Sequence, residues 1–461
     1  MIAFLLDILY FLILVLALPW LVFKAVRTGK YRAGLSEKFL GTGPARDSDR
    51  PCLWFHAVSV GEVLLLRRVV AALVERRPDV EIVISTTTNT GMEVARQHFG
   101  QHADGTRSVP ATIIYFPLDF SWAVSRAIAR IRPDVVALAE LELWPNFIAA
   151  AKRSGARIAV INGRMSPRTR RGYGRIRFLM RHLLAKIDTF AVQTDEYAQR
   201  FVEIGAPQGN VVVTGSVKYD GVETDRNNPA TTKLREIFGI RPDELVWVAG
   251  STSEPEEEIV LDAFEQLRAE HSALRLILVP RHKERFDEVA ALIEKRGHEL
   301  IRRSQLPVAT RRSEISNLKS QVILVDTLGE LSAVWGLADI AFVGGSFAPR
   351  GGQNMIEPAG YGAAVTFGPG VWNFQDTVDH LLACGGAIQV ATAEELEQQT
   401  DCLIRDRERR STLGDAARRF VLSQHGATAR TIQILDRLLP QADAAAQTSD
   451  QATGTKFVRA A

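Results

Sequence analysis

Twice along this chain, apolar runs of strand length alternate with amphipathic segments of helix length, and that alternation restricts the fold more than any other feature. The first set is Leu53 to Val58, Glu81 to Ser85, Thr112 to Phe116, Val135 to Leu138, Ile158 to Ile161, Thr189 to Val192 and Val211 to Val213. Segments such as Val63 to Arg76 and Phe120 to Ile131 separate these runs. Short buried strands joined through helices imply a parallel sheet covered on both faces. After a polar connection the pattern restarts at Leu245 to Ala249, Leu274 to Val279, Val322 to Val325, Ile340 to Val343 and Ala364 to Phe367. The expected class is α/β, two doubly wound Rossmann-like domains around a cleft, and such sheets bind ligands beyond the carboxyl ends of their strands. The expected division is an anchor over residues 1–26, a first domain over 27–217, a linker over 218–242, a second domain over 243–440 and a disordered tail over 441–461.

The anchor is expected because Ile8 to Phe23 carries no charge, and extending back to Ile2 adds only Asp7. That approaches the roughly 20 residues needed to cross a bilayer. No basic leader or small-residue cleavage site is present, so the segment reads as uncleaved. Lys24, Arg27, Lys30 and Arg32 follow it directly and assign that flank to the cytoplasm. Whether the segment spans the bilayer or lies in its interface is left open. The chain as a whole has 56 Lys and Arg against 53 Asp and Glu, too even for nucleic-acid binding by charge alone. Cys52, Cys384 and Cys402 stand far apart, at no metal-ligand spacing, so neither a disulfide framework nor a metal site is expected.

There is no GxGxxG after a strand, no Walker loop, no HExxH and no GxSxG. What stands out is Gly344-Gly345-Ser346-Phe347-Ala348-Pro349-Arg350-Gly351-Gly352-Gln353-Asn354, between a strand and a helix expected near Asn354. Such glycines let backbone N–H groups converge on an anion, with a helix dipole behind them. Glu357 either accepts hydrogen bonds from a ribose there or only complements the dipole. Arg281 and His282 end the Leu274 to Val279 strand, where Arg281 either clamps a phosphate or caps the next helix. Ser59 and Gly61 make a similar strand-to-helix turn after His56, with Glu62 opening the helix. Glu140 and Glu142 would share a face if the extended conformation continues, and serve either acid/base chemistry or the dipole of a helix starting at Pro145. From Asn162 to Ile187 no acidic residue interrupts a run including Arg164, Arg168 and Arg171, which suits anionic lipid head groups or a phosphorylated lipid substrate. The acidic run Glu254 to Glu258 reads as helix N-terminal stabilisation.

Five segments together resemble the 3-deoxy-D-manno-octulosonic acid (Kdo) transferase family of lipopolysaccharide assembly. They are Trp54 to Glu62, Ser85 to Gly91, Glu140 to Asn146, Pro280 to His282 and Gly344 to Pro358, in order along the chain. The resemblance implies a GT-B glycosyltransferase at the cytoplasmic face of a bacterial inner membrane. It implies transfer of Kdo from CMP-Kdo to the 6′-hydroxyl of a tetraacyl lipid A precursor, with inversion and without metal or other cofactor. The family's proposed general base matches Glu37, in Ser36-Glu37-Lys38-Phe39-Leu40-Gly41, which composition alone would leave as a surface residue. By the same resemblance Asn354 and Glu357 bind the nucleotide, Ser59 and Gly61 line the cleft and Glu142 supports the acceptor side. The Gly344 to Asn354 cradle (Gly344, Gly345, Ser346, Gly351, Gly352) with Arg281 and His282 suits the departing CMP. Arg164, Arg168 and Arg171 are the candidates for the lipid phosphates. Gln353 and Ser253 depart from the family pattern and leave the donor contacts less defined. The competing expectations are a lipid-linked transferase using a UDP-sugar, or an anchored nucleotide- or lipid-binding protein without turnover.

Overall fold

Side chains alternate across each central strand of the first sheet, which is why both of its faces must be covered. In the computed structural model Cys52 and Trp54 enter one apolar core, whereas Leu53 and Phe55 enter another on the opposite face. The structure describes residues 2–28, 33–100, 111–306 and 321–441. They divide into two units, Met1–Asp220 with His425–Ala461, and Gly221–Gln424.

The first unit holds a seven-stranded sheet: β1 (Cys52–His56), β2 (Glu81–Thr86), β3 (Ala111–Tyr115), β4 (Val135–Ala139), β5 (Arg157–Gly163), β6 (Thr189–Val192) and β7 (Val211–Val213). Its order is β3-β2-β1-β4-β5-β6-β7, and every adjacent pair is parallel. The strand order reverses between β1 and β4, so their carboxyl ends form the switch point where such sheets accept ligands.

The second unit repeats the plan with β8 (Leu245–Thr252), β9 (Leu274–Pro280), β10 (Leu300–Arg302), β11 (Val322–Leu324), β12 (Ile340–Val343), β13 (Ala364–Phe367) and β14 (Ala387–Gln389). The order β10-β11-β9-β8-β12-β13-β14 is again parallel throughout, and the switch point lies between β8 and β12. The sequence reading misses β10 and β14, three-residue edge strands too short to show a period.

Two expected boundaries move. The stretch read as a linker contains the Pro229–Ile237 helix, with Pro229 at its first position and the Asn228 side chain accepting the Thr231 N–H at 2.9 Å. The second domain does not run to residue 440. The Ala427–Leu438 helix belongs to the first unit, where Ala427, Ile432 and Leu435 are buried in the same apolar core as Leu53 and Phe55 and the helix packs on the Val60–Arg76 helix. Asp220 accepts the Gly426 N–H at 2.7 Å, and Arg77 pairs with Asp436 at 2.9 Å. An amphipathic helix goes wherever an uncovered apolar sheet face is available, and sequence order does not say which sheet that is. The expected tail lies outside the described residues, except for Gln441.

Candidate active site

At the switch point of the first unit, Ser59 caps the Val60–Arg76 helix and Glu62 reaches back, accepting the Val58 N–H at 2.9 Å and the Ser59 hydroxyl at 2.8 Å. This reciprocal box commits the Ser59 hydroxyl to the helix start, while a Cβ on Gly61 would meet nothing closer than 3.9 Å, so the first turn is open there. Behind it His56 is fully buried, 3.0 Å from the Ser85 hydroxyl and stacked on Phe116 at 3.6 Å between ring centroids. Burial pulls its imidazole down to about 3, so the ring is neutral.

The β4 strand ends at Ala139, and Glu140 takes a positive φ of 56°, so the extended conformation expected to align Glu140 with Glu142 stops. The turn instead sends the buried Glu140 carboxylate to Arg164, with Nε at 2.6 Å. Glu142 accepts the Trp144 indole N–H at 2.9 Å and is pushed up to about 7, first by burial and then by the charges of Glu62 and Glu140. Glu62, Glu140 and Glu142, from the segments that follow β1 and β4, thus lie within electrostatic reach of one another, a grouping of three that spacing alone did not reveal.

Glu37 lies on the short Leu35–Leu40 helix, and its Oε2 accepts the Tyr115 N–H at 2.7 Å at the end of β3. A carboxylate accepts through about four lone-pair sites, so this bond orients the group without exhausting it. The basic run divides in two. Arg164 is occupied by Glu140, and Arg170 pairs with Glu203 at 2.9 Å. Arg168 and Arg171, three apart on the Pro167–Arg175 helix, are exposed on one face.

In the second unit the glycine-rich loop leaves the end of β12, but the first half of the expected anion cradle is already filled. Glu256, fully buried, accepts N–H bonds from Gly345 at 2.7 Å, Ser346 at 2.8 Å, Phe347 at 2.9 Å and Ser253 at 2.9 Å. The acidic run read as a simple helix cap therefore supplies the anion that these amides were expected to hold for a ligand. Gly344 is required by close packing, since a Cβ there would lie 2.6 Å from the Ser251 carbonyl oxygen. Ser346 is buried, its hydroxyl donating to the Val343 carbonyl at 2.8 Å and accepting from Gly368 at 2.9 Å, so it locks the loop and is not free for donor contact. Gly345 accepts the Gly352 N–H at 2.8 Å, which folds the loop back on itself.

The second half of the loop brings several of the candidate residues together. Arg350 is exposed and lies 3.2 Å from His282 Nε2, joining the loop to the end of β9, where Arg281 is also exposed. The expected helix begins at Ile356, two residues later than Asn354, and runs only to Gly360. Asn354 caps it at the Ile356 N–H and donates to Glu357 Oε1 at 2.9 Å, which holds that carboxylate in a defined orientation. Gly351 and Gly352 have φ of 82° and 79°, a turn that L side chains adopt with strain. Gln353 is half-buried beside Gly345, and Ser253 is buried with its N–H on Glu256. Sequence reasoning missed Glu256 and Arg350, although the loop motif contains the second.

Two parallel seven-stranded units, each with polar groups at its switch point, define the GT-B class of glycosyltransferase architecture. Solved structures agree on the fold. A glycosyltransferase from Rickettsia africae aligns with a TM-score of 0.51 at 14% identity, covering 85% of this chain and 99% of that one. A UDP-GlcNAc 2-epimerase from Neisseria meningitidis gives 0.52 at 12% identity, covering 81% and 99%. Sequence carries the assignment further. The family model described as 3-deoxy-D-manno-octulosonic-acid transferase matches residues 31–221. The 3-deoxy-D-manno-octulosonic acid transferase of Haemophilus influenzae is 32% identical over 89% of this chain and 92% of its own length. That of Bordetella pertussis is 34% identical over 83% and 86%. The chain belongs to the Kdo transferase family. It is a glycosyltransferase that transfers Kdo in lipopolysaccharide biosynthesis, and its Ile2–Thr28 helix is long and apolar enough to cross a membrane.

Proposed function

We propose that the donor is CMP-Kdo and the acceptor the 6′-hydroxyl of a tetraacyl lipid A precursor, with inversion at the anomeric carbon at the cytoplasmic face of the inner membrane. The observation that carries this reading is the Glu37 carboxylate, oriented by the Tyr115 N–H on the first short helix after the apolar helix. A base at that place in the chain reaches a sugar hydroxyl whose acyl chains stay in the bilayer. Glu37 takes the hydroxyl proton as the oxygen bonds to the anomeric carbon, and the bond from that carbon to the phosphate oxygen breaks. CMP leaves with its electron pair, and on this reading its charge is met without metal by Arg281 and Arg350 and the Gly351–Gly352 turn. The Asn354–Glu357 pair suits a ribose, and Arg168 and Arg171 suit the lipid phosphates. Glu142, able to hold a proton near neutrality, suits hydrogen bonding on the acceptor side.

The test is incubation of detergent-solubilised protein with CMP-Kdo, generated in place, and tetraacyl lipid A precursor in EDTA, read by mass spectrometry. Addition of Kdo is expected. Glu37→Gln should lower transfer by roughly 100-fold or more while CMP binding persists. Full activity in that variant overturns the base assignment, and turnover of a UDP-sugar in place of CMP-Kdo overturns the donor.

A further inference from the structure

The apolar Ile2–Thr28 helix contains one charged residue before Lys24, and the structure accounts for it. Asp7 Oδ1 accepts the Ser121 N–H at 2.8 Å and the Asn146 side-chain amide at 3.2 Å, and Oδ2 accepts the Ser121 hydroxyl. The carboxylate thereby sits at the N-terminus of the Ser121–Ile131 helix, whose own capping position, Phe120, has no side-chain acceptor. One turn on, the Tyr10 hydroxyl donates to Asp119 at 3.1 Å and its ring meets the edge of Phe120 at 6.1 Å. Ala3, Asp7, Tyr10, Leu14 and Ala17 are half-buried, at the three- and four-residue spacing of one helix face.

The chain that follows returns to the same segment of the first unit. Leu118 donates to the Lys38 carbonyl at 2.7 Å, the Trp122 indole donates to the Phe39 carbonyl at 2.9 Å, and Glu37 holds Tyr115. Residues 7 and 10 therefore touch 119–121 and 146, while residues 37–39 touch 115, 118 and 122. A segment crosses a bilayer only if its two ends stand about 30 Å apart on opposite sides of the hydrocarbon. Here residues 7 and 10, near the start of the helix, and residues 37–39, in the chain beyond its end, are fastened to one stretch of eight residues, Tyr115 to Trp122.

We propose that this helix is a monotopic anchor: it lies along the first unit and immerses its outer face in one leaflet, without crossing. The proposal rests on the reading of the helix as a membrane anchor and decides its topology. The outer face suits the acyl boundary of a leaflet, with Phe4, Leu16 and Val26 exposed to 66, 82 and 73%. Trp20 beneath the Lys24 ammonium at 4.3 Å suits the head-group level, and exposed Leu35, Leu40 and Trp122 continue the apolar surface. Asp7 is then a docking residue held in polar contacts and not a charge carried into hydrocarbon.

The experiment uses the full chain with a short epitope tag ahead of Met1, in spheroplasts and in inverted inner-membrane vesicles. Flotation of the vesicles first reads membrane binding, and loss of the protein there overturns the membrane reading itself. Protease should remove the tag only in inverted vesicles; removal in intact spheroplasts overturns the monotopic topology. As a second measure, Asp7→Cys with Ser121→Cys, in a chain also carrying Cys384→Ser and Cys402→Ser, should form a disulfide in membranes on mild oxidation. A pair that stays reduced overturns the docking. Neither readout depends on transfer activity, so both stand apart from the donor and acceptor assignments.

Discussion

Glu142 holds its proton to about pH 7 because burial, and next the negative charge of Glu62, disfavour its ionised form. The sign of the stability effect follows from proton counts. Below the ordinary glutamate range both folded and unfolded chains are protonated and the site contributes no pH dependence. Between that range and about 7 the folded chain holds a proton that the unfolded chain has released, so stability falls as pH rises through the window. Glu142→Gln is expected to flatten this dependence and to stabilise the protein at roughly pH 8 by on the order of 1–2 kcal/mol, after discounting for solvent at a half-buried site. Urea unfolding at roughly pH 5 and roughly pH 8 checks it, and an unchanged slope in the variant would move the effect to another group. The Glu-Leu-Glu spacing drew attention to this pair in the sequence. The αL turn at Glu140, which sends one carboxylate to Arg164 and leaves the other beside Glu62, came only with the structure.

At the scale of elements, the glycine-rich loop is organised by a side chain from another element. Glu256 opens the Glu256–Glu270 helix after β8, yet its carboxylate serves three amides about 90 residues further on. Glu256→Ala leaves those N–H groups and that of Ser253 buried without acceptors. A loss of about 3 kcal/mol or more and a lower thermal midpoint are expected, together with loss of CMP binding as the loop relaxes. Calorimetry with and without CMP reads both, and a variant of unchanged midpoint would mean that the amides find other acceptors. The loop itself was legible, because glycines between a strand and a helix are rare without a backbone reason. Its occupant was not: among Glu254, Glu256, Glu257 and Glu258 the composition of the run singles out no member, and only the approach of β12 to β8 chooses one.

For the whole molecule, the Ala427–Leu438 helix completes the first unit although it follows the second in sequence. Leu435 is fully buried in the core that contains Leu53 and Phe55. Leu435→Asp should cost roughly 3 kcal/mol or more by placing an unpaired carboxylate there, and should raise hydrogen exchange in β1 and β4 above that in β8 and β12. Equal protection in all four strands would remove the helix from the first unit's core. The sequence by itself determined the α/β class, the two parallel sheets, the apolar helix and the family, since these rest on local periodicity and on motifs contiguous in the chain. Tertiary structure alone decided which sheet the last helix covers, that Glu256 fills half of the expected cradle, that Arg350 meets His282 and that Asp7 docks on Ser121. Each of these is a contact between residues distant in sequence, and its partner is chosen by which apolar faces remain uncovered and which buried polar groups still lack a hydrogen bond.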